Sequence, residues 1–411
     1  MPVCRHQYTC VSTVKSRRRL WNHITSGLQF YTEKLTYMKR VLTILSISII
    51  ICSCSTDKHA DSVSGVIRRE LFNASMRPGV ACYRIPSLIT APNGDLVAAV
   101  DERAGSCSDL NTNKDINIVV RRSSDNGLSW SDIETAADFP PGISASDPSM
   151  IADRITGDIF LFYNVMDHHE HPGIYYLYVV KSSDNGRSWS NPRDITTQIS
   201  KPGWREDVKF ITSGRGIQTC TGTLLHTMVN LNHGMHLFGS KDHGKNWFLL
   251  DTPIEPADES KIVELADSTW LINSRNSNGG MRYVHISGDT GKTWTSKPEP
   301  ALIDPGCNAS IIRCTSAARG HDTNRLLFSN VKATDQRKNM TVRISYDEGE
   351  TWTRGKTIYE GSSAYSSMTI LGNGEIGLLY EQDNYSKNIF VRFSLEWLTD
   401  GKDTYEPPGI N

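Results

Sequence analysis

The sequence has no apolar stretch at its N-terminal end long enough to cross a bilayer as a helix: Val41 to Ile51 is eleven residues, against the roughly 18–20 that such a span needs. None of its nine cysteines stands in Cys-x-x-Cys spacing, so the usual zinc-site signature is missing. It has little net charge, −1 overall. Residues 1–53 hold eight Lys/Arg against Glu33 alone, which leaves the rest of the chain at −8 and gives no electrostatic footprint for nucleic acid. No long amphipathic helical pattern and no Pro/Ser-rich linker divides the region after residue 67. With 38% hydrophobic and 22% charged residues, the composition is that of a globular protein with a sizeable core, which excludes a disordered chain.

What is present begins with the anatomy of an export signal. Met38-Lys39-Arg40 is basic, Val41 to Ile51 follows, and Ile51-Cys52-Ser53-Cys54 ends the run. This resembles a bacterial lipoprotein signal. The resemblance implies a signal over 38–53, lipid attachment at Cys54 and a tether over 54–66. The protein would then be exported and held in the periplasm or at the outer membrane or cell surface, touching the membrane through its lipid anchor alone. Residues 1–37 read as a non-structural extension upstream of Met38. Cys82, Cys107, Cys220, Cys307 and Cys314 remain, an odd set in which no pairing can be assigned.

One octapeptide, Ser-x-Asp-x-Gly-x-x-Trp, occurs five times: Ser123 to Trp130, Ser182 to Trp189, Ser240 to Trp247, Ser287 to Trp294 and Ser345 to Trp352. Successive aspartates (Asp125, Asp184, Asp242, Asp289, Asp347) lie 59, 58, 47 and 58 residues apart. Each box follows a β-rich segment, for example Ile116 to Arg122, so each repeat contains a hairpin. Ser and Asp oxygens can bond turn amides, Gly accepts positive φ, and Trp supplies a large apolar plug. A period in this range indicates a radial repeat. At about 57 residues per repeat, residues 67–411 predict one all-β, six-bladed β-propeller domain whose sixth box is degenerate.

With these boxes in place, the chain resembles the bacterial exo-α-sialidase (neuraminidase) family over nearly its whole length from about Val66. Tyr83-Arg84-Ile85-Pro86 is similar to the family's Arg-Ile-Pro motif. Arg275 in Ile272-Asn273-Ser274-Arg275 and Arg343 before the last box complete the family's arginine triad for the sugar carboxylate. Guanidinium forks match two carboxylate oxygens in a way lysine does not. Tyr365, in Ser363-Ala364-Tyr365-Ser366, matches the nucleophile, and Glu259 its base partner. A phenol with a pKa near 10 needs such a base at neutral pH. Asp109, 25 residues beyond Arg84 in a loop, matches the acid/base residue. Arg103 is placed near the sugar ring, and Glu381 orients Arg84.

Rivals stand beside several of these positions. Arg282 competes with Arg275, but Arg275 lies 16 residues after Glu259, the family's spacing. Glu264 competes with Glu259, and reads as part of the following strand. Asp101 and Glu102 compete with Asp109, but end the strand Leu96 to Val100. Arg215, in Ser213-Gly214-Arg215-Gly216, departs from the family pattern and is expected near the pocket rim. The resemblance implies a retaining hydrolase of terminal α-linked sialic acids on sialylated glycans, monomeric, without metal or organic cofactor. An intramolecular trans-sialidase and a non-catalytic glycan-binding propeller are the alternatives. A mere binder would keep the arginines and lack the tyrosine or the aspartate.

Overall fold

The computed structural model of the chain describes residues 65–405. The extension 1–37, the signal 38–53, Cys54 and nearly all of the tether lie outside those residues. Strands dominate what is described. Val80–Thr90, Leu96–Ala104, Ile116–Ser123 and Glu134–Ala137 form one antiparallel sheet in chain order. Sheets of the same meander start at Ile143–Ala152, Lys209–Ile211 and Ser260–Glu264.

The fifth sheet has seven strands, running from Ser310–Thr315 through Arg325–Val331, Lys338–Ser345, Lys356–Ile370, Ile376–Gln382 and Lys387–Phe393 to Ile67–Asn73. Its turning point is the 15-residue strand Lys356–Ile370. The first part of that strand pairs with Lys338–Ser345 and the part from Ser363 onward pairs with Ile376–Gln382. Ile67–Asn73 pairs antiparallel with Lys387–Phe393, so the two ends of the described chain close one sheet. The fold is all-β with a propeller arrangement.

That arrangement explains why some strands read as continuous apolar runs. Leu96 to Val100 are all fully buried, because the sheet is covered on both faces. Val97 and Ala99 join a cluster with Ile159 and Leu161 of the next sheet. Leu96, Ala98 and Val100 pack with Leu379 and Phe390 of the preceding one. Alternate residues thus glue the sheet to its two neighbours.

The five octapeptides join the third and fourth strands of their sheets. In each, the Ser hydroxyl accepts the Gly N–H at 2.8 Å and donates to the Asp carboxylate. The Asp in turn accepts the amide of the residue four positions on. The residue before each Gly and the Gly itself both have positive φ, as at Asn126 (56°) and Gly127 (83°). The Trp rings fill seams between sheets. Trp247 is 5% exposed and meets Phe162 at 5.0 Å and Phe160 at 5.5 Å between centroids. Trp247→Ala should therefore cost about 3–5 kcal/mol, read as a lower urea midpoint. The half-buried Trp189 should cost less, and an unshifted midpoint for Trp247→Ala would contradict the plug role.

The innermost strands run alongside one another in the same direction. Leu88 and Ser367 bond at 3.0 Å and, two residues on in each strand, Thr90 and Thr369 at 2.9 Å. Gly214–Arg215 pairs parallel with Ile143–Ala152. The central channel therefore has one opening lined by the beginnings of these strands and another lined by their ends.

Candidate active site

Glu259 and Arg275 meet because of one hairpin. Ser260–Glu264 pairs with Trp270–Ser274 from Ser260 opposite Ser274. The ladder extends one residue further, where the Arg275 N–H donates to the Glu259 carbonyl at 3.0 Å. The spacing of 16 is the length of that hairpin, with both side chains at its open end. The Arg275 guanidinium pairs with Glu259 Oε2, and its Nε lies 3.6 Å from Asp258.

Tyr365 completes this group from the facing strand. Its hydroxyl donates to Glu259 Oε2 at 2.7 Å and accepts from Arg275 Nη1 at 3.2 Å. Burial first, then the Glu259 charge, hold the phenol well above its ordinary pKa. The tyrosine is accordingly protonated at neutral pH, with the base that can take its proton already bonded to it.

Arg84 is fixed by Glu381. The carboxylate, fully buried, accepts Arg84 Nε at 2.7 Å and the Ile85 N–H at 2.9 Å through one oxygen, and the Tyr365 N–H at 3.1 Å through the other. One buried acid thereby ties the Arg84 strand to the Tyr365 strand. Ile85 holds φ 62°, an uncommon state for a β-branched residue. The Arg84 guanidinium lies 3.9 Å from the Tyr385 ring and 5.8 Å from that of Tyr365.

Arg103 organises the Asp109 loop. It is buried, donates to Asp101 on one side and reaches the Cys107 carbonyl, the Ser108 carbonyl and Asp109 Oδ1 (2.7 Å) on the other. A disulfide joins Cys82 to Cys107 with Cα atoms 5.7 Å apart, two residues before Arg84 and Asp109 respectively. The pairing that the sequence left open thus anchors the loop to the Arg84 strand. The Asp109 side chain remains 75% exposed. Partial burial raises its pKa, but Arg103, then Arg84 and Arg337, outweigh this and hold it below the ordinary carboxyl value. Asp101 is buried against Arg103, and Glu102 accepts Tyr83 and Arg77, so neither is free to compete.

The expectation for Arg343 needs correction. Arg343 is buried in a different network, donating to Asn330 at 2.7 Å, which in turn bonds Asp304. Arg282, the rival of Arg275, ends buried in the same network, 3.6 Å from Asp304. The third guanidinium at the site is that of Arg337. It lies 5.5 Å from the Tyr365 ring and donates to Tyr385 and to the Gly306 carbonyl. Arg337 sits in the polar turn before Lys338–Ser345, where sequence offers no periodicity to mark it. Glu264 lies at the far end of its strand, bonded to Cys220. Arg215 also falls at the far opening, with its guanidinium on the Met368 carbonyl, and not at the rim of this pocket.

Asp147 was not legible beforehand. It adopts φ 64°, its N–H donates to Asp101 at 2.9 Å and Asn164 donates to its carboxylate at 3.0 Å. Burial, then the Asp101 charge, push its pKa up.

Three guanidinium groups therefore converge on one phenol whose base is in place, with an exposed carboxyl beside them. A cleft of about 530 Å³ bordered by Arg275, Asp258 and Glu255 opens next to this cluster.

The family profile described as "BNR repeat-like domain" matches residues 94–378. A curated sialidase from Micromonospora viridifaciens is 35% identical over 349 residues, covering 78% of this chain and 53% of the relative. A sialidase from Bacteroides fragilis is 31% identical over 332 residues, covering 73% and 60%. The chain thus spans little more than half the length of these relatives. Among solved structures, the Hadza microbial sialidase Hz136 superposes with TM-score 0.73 at 28% identity, covering 81% of this chain and 69% of that one. The repeat profile spans well over half of the chain, so the chain belongs to the BNR repeat-like domain family, and in sequence it is similar to bacterial sialidases.

Proposed function

We propose that the chain is a retaining exo-α-sialidase that releases terminal α-linked sialic acids from glycans, on a propeller of six blades. The blade count treats the seven-stranded sheet as two blades hinged at Lys356–Ile370. The observation that carries the activity is the 2.7 Å bond between Tyr365 and Glu259 under three converging arginines. A glycan-binding propeller has no use for a phenol paired to a base.

In this reading Arg84, Arg275 and Arg337 bind the sugar carboxylate through charge-assisted forks. The anomeric carbon beside that carboxylate disfavours an anionic carboxylate nucleophile. Tyr365 attacks it as its proton passes to Glu259, while Asp109 protonates the departing glycosidic oxygen. Asp109, now a carboxylate, then takes a proton from water as the water displaces the tyrosyl oxygen, and Glu259 returns its proton to Tyr365. Two displacements at one carbon retain configuration. The names of the two curated relatives support the activity.

Sialic acid release from sialyllactose tests the assignment of the third arginine. Arg337→Ala should lower kcat/KM roughly tenfold to a hundredfold, the worth of a lost charged hydrogen bond. Arg343→Met should weaken folding and leave kcat/KM of the folded protein near wild type. The reverse pattern would restore Arg343 to the triad.

A further inference from the structure

The second opening of the channel is lined by the ends of the inner strands, and its charge is unlike that of an ordinary surface hollow. Thr90 borders it, six residues along the same strand from Arg84, or about 20 Å at strand rise. The hollow has a volume of about 420 Å³ and is lined by Arg154, Arg215, Arg313 and Arg319 against one acidic residue, Glu264. Arg313 is already paired with Glu348, and Glu264 accepts the amide and thiol of Cys220. That leaves three guanidinium groups against the single charge of Glu264, which acts on Arg154.

Arg215 donates through Nη1 to the Met368 carbonyl at 3.0 Å and meets Thr369 at 3.5 Å. Arg154 donates through Nη2 to the carbonyls of Gln218 and Thr219. Among the described residues neither has a carboxylate partner. Burial, and then the charge of Arg154, push the Arg215 pKa down to about 10. An arginine placed against a second arginine with neutral carbonyls as its partners is a cost that a bound anion would relieve.

The hollow is also walled off from the catalytic cluster. Lys261 Nζ donates to Asn308 at 2.7 Å, and Asn308 donates to Ser213 at 2.8 Å. Lys261 comes from the strand Ser260–Glu264, and Ser213 and Asn308 come from the segments just before Gly214–Arg215 and Ser310–Thr315; all three are buried. The Lys261 Cε closes against Gly214, where a Cβ would come within 2.9 Å of it.

We propose that this opening is a binding site for a small oxyanion of the phosphate or sulfate class, held by Arg215 and Arg154 with Arg319 at its mouth. The fork geometry of two guanidinium groups matches a tetrahedral oxyanion. The site does not depend on what the opposite opening catalyses.

Isothermal titration with inorganic phosphate, and separately with sulfate, against chloride at matched ionic strength tests it on the full chain. Wild type should bind phosphate, and Arg215→Gln should weaken that binding about tenfold or more. Arg154→Gln should do the same, which guards against a folding defect in the more buried Arg215 variant. Arg275→Ala, at the catalytic opening, should leave the far-site affinity unchanged, because that arginine belongs to the other end of the channel. Failure of the wild type to bind phosphate or sulfate overturns the proposal. So does wild-type affinity retained in both Gln variants, or a loss confined to Arg275→Ala, which would place the anion among the catalytic arginines.

Discussion

Asp109→Ala is expected to slow release of sialic acid from sialyllactose by roughly 10²–10⁴-fold, the usual contribution of a general acid, and to slow an aryl sialoside far less. A sugar alkoxide leaves poorly without a proton, whereas an acidic phenol needs little help. The geometry makes this test specific to Asp109. Its carboxyl is exposed and held on Arg103 at 2.7 Å, while Asp101 is buried and Glu102 is bonded to Tyr83 and Arg77. Since its pKa lies below the ordinary carboxyl range, kcat/KM on sialyllactose should fall as pH rises past that low value. Arg103→Met should raise the pKa and carry the fall to higher pH. Equal losses on the natural and aryl substrates would reject the acid role.

Tyr365→Phe is expected to lower kcat by at least a comparable ~10²–10⁴-fold, on both substrates alike. The ring that lies beneath Arg84 and Arg337 survives the substitution, so the thermal midpoint and the capture of the sugar carboxylate should change little. What disappears is the oxygen bonded to Glu259. Glu259→Gln should show a milder form of the same pattern, since it removes the base and leaves the nucleophile. A Tyr365→Phe enzyme with wild-type kcat on either substrate would overturn the covalent step.

How far the sequence reached depended on whether a feature was local. The octapeptides were legible because each closes on itself: serine, aspartate and glycine satisfy one turn within eight residues. Glu259 and Arg275 were legible as a spacing because a single hairpin sets it. Arg84, Tyr365 and Glu381 are far apart in sequence, and their placement rested on motif resemblance. The structure joins them through one buried carboxylate.

The misses were non-local. Arg343 is a strand residue beside a box, a conspicuous position, while Arg337 sits in a polar turn six residues earlier. Choosing between them requires knowing which one the turn of Lys356–Ile370 brings against Tyr365. The Cys82–Cys107 pairing likewise follows from how the Asp109 loop folds back on the Arg84 strand, and the positive φ of Asp147 from the register irregularity between Ser146 and Ser149 within its strand. Arg215 was expected at the pocket rim from the motif it interrupts, and its guanidinium instead bonds the Met368 carbonyl at the far opening.

Double displacement through Tyr365 fixes the anomeric configuration of the first sugar released. Proton NMR of sialyllactose hydrolysis, recorded within the first turnovers and before mutarotation, should show the α-anomer of free sialic acid, which then converts to the β-anomer. The β-anomer appearing first would mean single displacement by water and would contradict the covalent step; an internally cyclised sugar in place of the free acid would keep that step and contradict hydrolysis.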